Sequence, residues 1–155
     1  MLDGEINVGE VMRLEVVTLA PEDRLDVASD IMTLGRIRHM PVVAHDQVVG
    51  ILTQRDLFRA AISSALQLRP AAEREWLAKI HVREVMTTKV FTVEPDEPVH
   101  NAVTQMIEKR VGCLPVVQHS KLVGLLSESD CLRFLARLLD ISDARQQLPE
   151  LPQPE

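Results

Sequence analysis

The chain has 155 residues, 46% of them hydrophobic, enough for one compact domain or two small modules sharing a core. Aromatic residues make up only 3%, so that core must be aliphatic, and a net charge of −6 argues against non-specific nucleic-acid binding. Two cysteines, Cys113 and Cys131, form no C-x-x-C pair and read as reduced thiols rather than a disulfide framework. No apolar run approaches the roughly 18 residues of a membrane span, so no membrane insertion is expected. The acidic start Met1-Leu2-Asp3-Gly4-Glu5 lacks a secretory leader, so the expected location is cytoplasmic.

In chain order, Val16-Val17-Thr18 is a short β-rich stretch that stops at Pro21. Residues 23–34 carry Leu25, Ala28, Ile31 and Met32 at helical spacing. Residues 40–44 and 48–52 read as the strands of a hairpin closed by a polar turn at His45-Asp46-Gln47. Pro41 opens its strand, where a missing N–H does little harm, and Gly50 marks a close backbone approach. A helix starts near Thr53, with Leu57, Phe58, Ala61, Ile62 and Ala65 on its apolar side. Pro70 ends it. Residues 71–80 form an extra helix that Trp76, the single tryptophan, anchors to the rest. Val90-Phe91-Thr92 and a helix bearing Val99, Ala102, Val103, Met106 and Ile107 then repeat the series. The closing helix, residues 128–140, presents Leu132, Phe134, Leu135, Leu138 and Leu139, enough for both a core and a dimer interface. The Pro-rich, polar residues 146–155 are expected to be loosely ordered.

The series repeats at a constant offset of 74. Val11-Met12 recurs as Val85-Met86, Pro21 as Pro95, Pro41-Val42-Val43 as Pro115-Val116-Val117, Gly50 as Gly124 and Asp56 as Asp130. Aligning residues 8–59 with 82–133 gives 19 identities in 52 positions without a gap, so the chain is an internal duplication. The expected organisation is an α+β fold of two β-α-β-β-α modules packed sheet to sheet. Residues 8–66 form one copy, 67–81 a helical linker, 82–140 the second copy and 141–155 a tail.

Chemistry concentrates where strand turns to helix. Thr53-Gln54-Arg55-Asp56 and Ser127-Glu128-Ser129-Asp130 each place a hydroxyl three residues before a carboxylate. That pattern is a helix N-terminal capping signature. It also suits a nucleotide, since a helix N-terminus favours phosphate and a carboxylate accepts hydrogen bonds from both ribose hydroxyls. Both readings stand on the sequence. The five histidines show no zinc spacing, and His45 and His119 read as solvated turn residues. No phosphate-cradling glycine loop or nucleophile elbow is present, and no acid–base or nucleophile constellation supports an enzyme.

The motifs V-x-x-V-M, T-x-x-P, h-P-V-V and V-G-h-L-[TS]-x-x-D, in order and in register in both copies, resemble the CBS domain, named after cystathionine β-synthase. The resemblance covers residues 8–138. It implies a tandem CBS-domain pair, or Bateman module, with pseudo-twofold symmetry and clefts for AMP, ADP or ATP, or S-adenosylmethionine. The nucleotide would be a regulatory ligand rather than a required cofactor. By the resemblance, one cleft combines Thr53 and Asp56 with Val111, Gly112 and Leu114. The other combines Ser127 and Asp130 with Ile37, Arg38 and Met40. Apolar side chains would sandwich the adenine. Arg38-His39 aligns with Gly112-Cys113, so the clefts are unequal. The cleft of Asp130, Ser127 and Arg38, with His39, is expected to favour a charged nucleotide. The matched Arg36 and Arg110 read as charges at helix C-termini or as phosphate contacts. The expected function is a standalone sensor acting on a separate regulated protein, as a homodimer. The alternative is a structural interaction protein with vestigial clefts.

Overall fold

A computed structural model describes residues 5–62 and 70–139. The first copy contains α1 (Val8–Val11), α2 (Leu25–Gly35), β1 (His39–Ala44), β2 (Gln47–Thr53) and α3 (Gln54–Ile62). After α4 (Pro70–Leu77), the second copy repeats the series as α5 (Val82–Val85), α6 (Val99–Lys109), β3 (Cys113–Gln118), β4 (Lys121–Ser127) and α7 (Glu128–Leu139). Each copy forms an antiparallel two-stranded sheet, β1–β2 and β3–β4, in matching register. The turns are two residues long. His45 and Asp46, and likewise His119 and Ser120, take positive φ, as tight hairpin turns matched to strand twist require.

The initial strand expected in each copy reduces to a single parallel bridge, Leu19 to Val42 and Val93 to Val116. The cause is a crossing between copies. Arg13 is already bridged to Leu125 of the second copy before the chain reaches Val42 of the first, so residues 14–18 have no continuous strand beside them. Thr87 bridges Ile51 in the mirror arrangement.

The short helices α1 and α5, not foreseen from periodicity, make the crossing reciprocal. Val8 packs in the core of Val93, Ala102, Met106, Leu114, Val116 and Leu126, all second-copy residues. Val82 packs with Leu19, Leu25, Ala28, Met32, Met40, Val42 and Leu52 of the first copy. Backbone bonds fix both exchanges: Val8 N–H donates to Glu97 O and Val82 N–H to Asp23 O, each at 2.8 Å. The sequence repeats and the spatial modules therefore differ by an exchanged N-terminal turn.

A third cluster, Ile51, Cys113 and Leu125, joins the two sheets, with Val16 and Val90 against it. Gly50 and Gly124 permit the crossings. A Cβ on Gly50 would stand 2.5 Å from Met86 Sδ and 3.1 Å from Thr87 O, and one on Gly124 would stand 2.6 Å from Met12 Sδ and 2.9 Å from Arg13 O.

The helix faces follow the periodicity, with exceptions at the surface. Leu25, Ala28 and Met32 are buried on α2, and Ala102 and Met106 on α6, but Ile107 is 72% exposed. On α3, Leu57 and Ala60 are buried while Phe58 and Ile62 are exposed. Ala65 and Asp140 lie outside the described residues, as does the tail. Trp76 anchors α4 as expected, donating from Nε1 to Ala60 O at 3.1 Å and packing on the first core. Arg36 and Arg110 cap the C-termini of α2 and α6 in the left-handed conformation.

Candidate functional site

Both strand-to-helix junctions are reciprocally capped. Thr53 donates to Asp56 Oδ2 from its backbone N–H at 2.8 Å and from Oγ1 at 2.7 Å, and Asp56 N–H returns a bond to Thr53 Oγ1 at 3.2 Å. Ser127 does the same, with 3.0, 2.6 and 3.3 Å for the matching bonds to Asp130. The capping reading thus holds at both positions, and it consumes one oxygen of each carboxylate.

The other oxygen separates the copies. Asp130 Oδ1 accepts from Arg13 Nε at 3.2 Å and Nη2 at 3.0 Å, and from Arg133 Nη1 at 3.1 Å. The Asp130 side chain is 7% exposed, against 49% for Arg13 and 62% for Arg133. Among the described residues no ion pair reaches Asp56. Thr87 stands where the first copy has Arg13.

The residues before each strand lie against these junctions. Arg38 O accepts from Gln54 N–H at 2.9 Å, and Gly112 O from Glu128 N–H at 3.0 Å, tying each helix start to its own copy. The Arg38 side chain crosses to the other copy and donates from Nη2 to Ser129 Oγ at 3.1 Å. His39 crosses too: a Cβ on Gly112 would lie 2.9 Å from His39 Nε2 and 3.5 Å from Glu128 Oε2. Burial, then the neighbouring Arg38, holds the His39 imidazole below its ordinary pKa, with Glu128 opposing. Burial pushes the Cys113 thiol up to about 12, which removes it as a nucleophile.

The structure therefore brings Arg38 and His39 to the helix start that carries Ser127 and Asp130. Thr53 and Asp56 make no hydrogen bond to Val111, Gly112 or Leu114 among the described residues, although the charge of Asp56 is felt at His39, which abuts Gly112. Ile37 and Val111 are half-buried and pack on opposite cores. Met40 and Leu114 are fully buried. Glu128 and Ser129 lie in the motif singled out from sequence, whereas Arg13 and Arg133, which bond Asp130, were not foreseen. Arg133 lay within reach of sequence reasoning, one helical turn after Asp130, whereas Arg13 stands 117 residues away with no local signal.

A cavity of about 330 Å3 opens between residues 14–18 and the two hairpins, lined by Leu14, Val16, Thr18, Val43, Asp46, Lys121, Leu122, Val123 and Gly124. A smaller one, about 160 Å3, lies among α2, α3 and α4. None of the site residues expected from sequence lines either. Among the described residues no cluster of His, Cys, Asp or Glu could hold a metal ion, and no helix is long and apolar enough to cross a membrane.

Comparison with known proteins matches residues 8–63 and 82–137 to the family described as CBS domain. A CBS domain-containing protein of Dictyostelium discoideum is 31% identical over 138 residues, covering 88% of this chain and 95% of the relative. A Methanopyrus kandleri protein of uncharacterized function is 31% identical, with 83% of this chain and 62% of its own length covered. A homoserine O-acetyltransferase of Methanohalobium evestigatum is 28% identical over 83% of this chain but only 24% of its own. The chain thus spans less than two thirds of the first curated relatives it matches. Among solved structures, a Vibrio cholerae chain named for acetoin utilization (AcuB) superposes with a TM-score of 0.74 at 31% identity, covering 93% of this chain and 98% of that one. The CBS domain pair of protein MJ0100, crystallised with 5′-methylthioadenosine and S-adenosyl-L-methionine, gives a TM-score of 0.71 at 25% identity, covering 84% and 99%.

Proposed function

The chain belongs to the CBS domain family, and from that premise we propose that it is a regulatory module that binds an adenosyl ligand between its two copies and signals occupancy to a separate protein in the cytoplasm. The observation that carries this reading is the pair of capped carboxylates, Asp56 and Asp130, set at helix starts. The helix start that carries the second also meets residues of the other copy, Arg38 at Ser129 and His39 beside Gly112 and Glu128. A carboxylate suits a ribose diol, and guanidinium groups beside it suit phosphate. The MJ0100 pair, crystallised with two adenosyl compounds, supports the ligand class. AMP, ADP or ATP is the expected ligand, bound as an effector with no cofactor required. Acetyl transfer is not carried across from the homoserine O-acetyltransferases, of which the chain spans only 24%.

A thermal-shift panel tests the proposal. AMP, ADP, ATP or S-adenosylmethionine should raise the melting midpoint, with about 2.7 kcal/mol of stabilisation at a ligand concentration one hundred times Kd. Asp56→Ala and Asp130→Ala should each remove one cleft's share. No shift with any of the four overturns the reading.

A second reading, a homodimer with vestigial clefts, has its own observation. Phe58 on α3 and Leu132 on α7, equivalent positions in the two copies, are each 65% exposed, and Leu135, Leu138 and Leu139 extend the second face. Light scattering after size exclusion, with and without nucleotide, separates the two readings.

A further inference from the structure

Resting on the cleft reading above, we infer that Arg13 is a charge-selective latch, which makes the Asp130 cleft accept adenosyl ligands that carry a phosphate and reject those that do not. The Asp130 carboxylate has no free acceptor in the present arrangement. Oδ2 takes two bonds from Ser127, and Oδ1 takes two from Arg13 and one from Arg133. A ribose diol reaches that carboxylate only if a guanidinium leaves. Arg133 sits on the same helix three residues away and moves with Asp130. Arg13 comes from the other end of the chain and its side chain reaches solvent, so it can swing out without disturbing the helix that carries Asp130.

Its swing is constrained at the base. Arg13 N–H donates to Leu125 O at 2.9 Å and Leu125 N–H to Arg13 O at 3.0 Å. The displaced guanidinium therefore stays at the cleft mouth, near Arg38 and His39, whose imidazole both arginines influence. A ligand phosphate supplies the replacement partner that the guanidinium has lost. A neutral or cationic 5′ substituent supplies none and leaves one more cation beside Arg38. The Asp56 cleft has Thr87 at the equivalent position and no such latch, so it should discriminate far less between the same ligands.

The test is calorimetric titration of AMP and of 5′-methylthioadenosine in an Asp56→Ala background, which isolates the Asp130 cleft. We expect AMP to bind at least about tenfold more tightly than 5′-methylthioadenosine, a difference of about 1.4 kcal/mol. In Arg13→Gln and Arg13→Thr the ratio should collapse, chiefly because 5′-methylthioadenosine gains affinity. Arg13→Lys, which keeps the charge, should retain much of the preference, a rescue that a purely structural role would not give. Ligand-free melting of each variant confirms that it is folded. An unchanged ratio in Arg13→Gln with both ligands still bound overturns the latch and leaves the cleft reading standing. No binding of either ligand by any variant or by the parent chain overturns both.

Discussion

Two corners of the molecule share sequence, fold and capping geometry, yet differ in one electrostatic respect. At the start of α3, Asp56 caps the helix through one oxygen and meets no ion pair among the described residues. At the start of α7, Asp130 makes the same cap and is also clasped by Arg13 and Arg133. Duplication supplied two similar frameworks, and Arg13, where the second copy has Thr87, makes one carboxylate a link between distant parts of the chain. In a duplicated fold, identities report the scaffold, and departures from identity at matched positions report specialisation.

The largest expected break in that comparison is in stability. Asp130→Ala strands two guanidiniums and the Ser127 N–H, and should cost about 2–3 kcal/mol, below the full cost of breaking a buried pair because both arginines reach solvent. Asp56→Ala removes a cap alone and should cost about 1 kcal/mol. Urea unfolding midpoints compare them directly, and equal losses would show that the arginine clasp contributes nothing. Next come the crossings. Gly124→Ala drives a Cβ to 2.9 Å from the Arg13 carbonyl, which is fixed backbone, while Gly50→Ala finds its tightest contact, at 2.5 Å, with the flexible Met86 side chain. Both should destabilise by about 1–3 kcal/mol, the usual cost of overpacking. Only Gly124→Ala should also weaken the Arg13–Asp130 pair, seen as a smaller stability loss when Asp130→Ala is added to it than when made alone.

Much of this was legible in the sequence, for physical reasons that also mark the limit. Helical spacing exposed the buried faces of α2 and α6 because burial imposes a period of 3.6, and the hairpins announced themselves as two short apolar runs around a polar turn. The exchange of α1 and α5 left no trace, because Val8 and Val82 are identical and either could fill either core. Ile107, Phe58 and Ile62 sit beside an apolar stripe without joining it, a distinction of a few tens of degrees that a residue pattern does not resolve. The unequal clefts were visible in Arg38-His39 against Gly112-Cys113. The residue that sharpens the inequality, Arg13, was not, because a contact spanning 117 positions has no spacing rule.

The smallest effect concerns the matched pair His39 and Cys113, which meet the interface between copies from opposite sides. Both are pushed toward their neutral forms by burial, so the imidazole resists gaining a proton and the thiol resists losing one. Above about pH 7 His39 is neutral in both folded and unfolded chains and contributes no pH slope. As the pH falls below 6.5, the unfolded chain takes up a proton that the folded one resists, so stability falls with acidification. His39→Gln should flatten the decline in melting midpoint between about pH 7 and 5.5, and an unaltered slope would show that the imidazole is not the group responsible. Cys113 gives the alkaline counterpart. With its thiol at about 12 it should resist iodoacetamide at pH 8 in the folded chain and react on unfolding, while the half-buried Cys131, raised less, should be alkylated first. The same burial that silences His39 as a reagent places it where a displacement of Arg13 would be felt. His39 lies within the influence of Arg13 and Arg38 together, so its protonation should become easier when phosphate neutralises them.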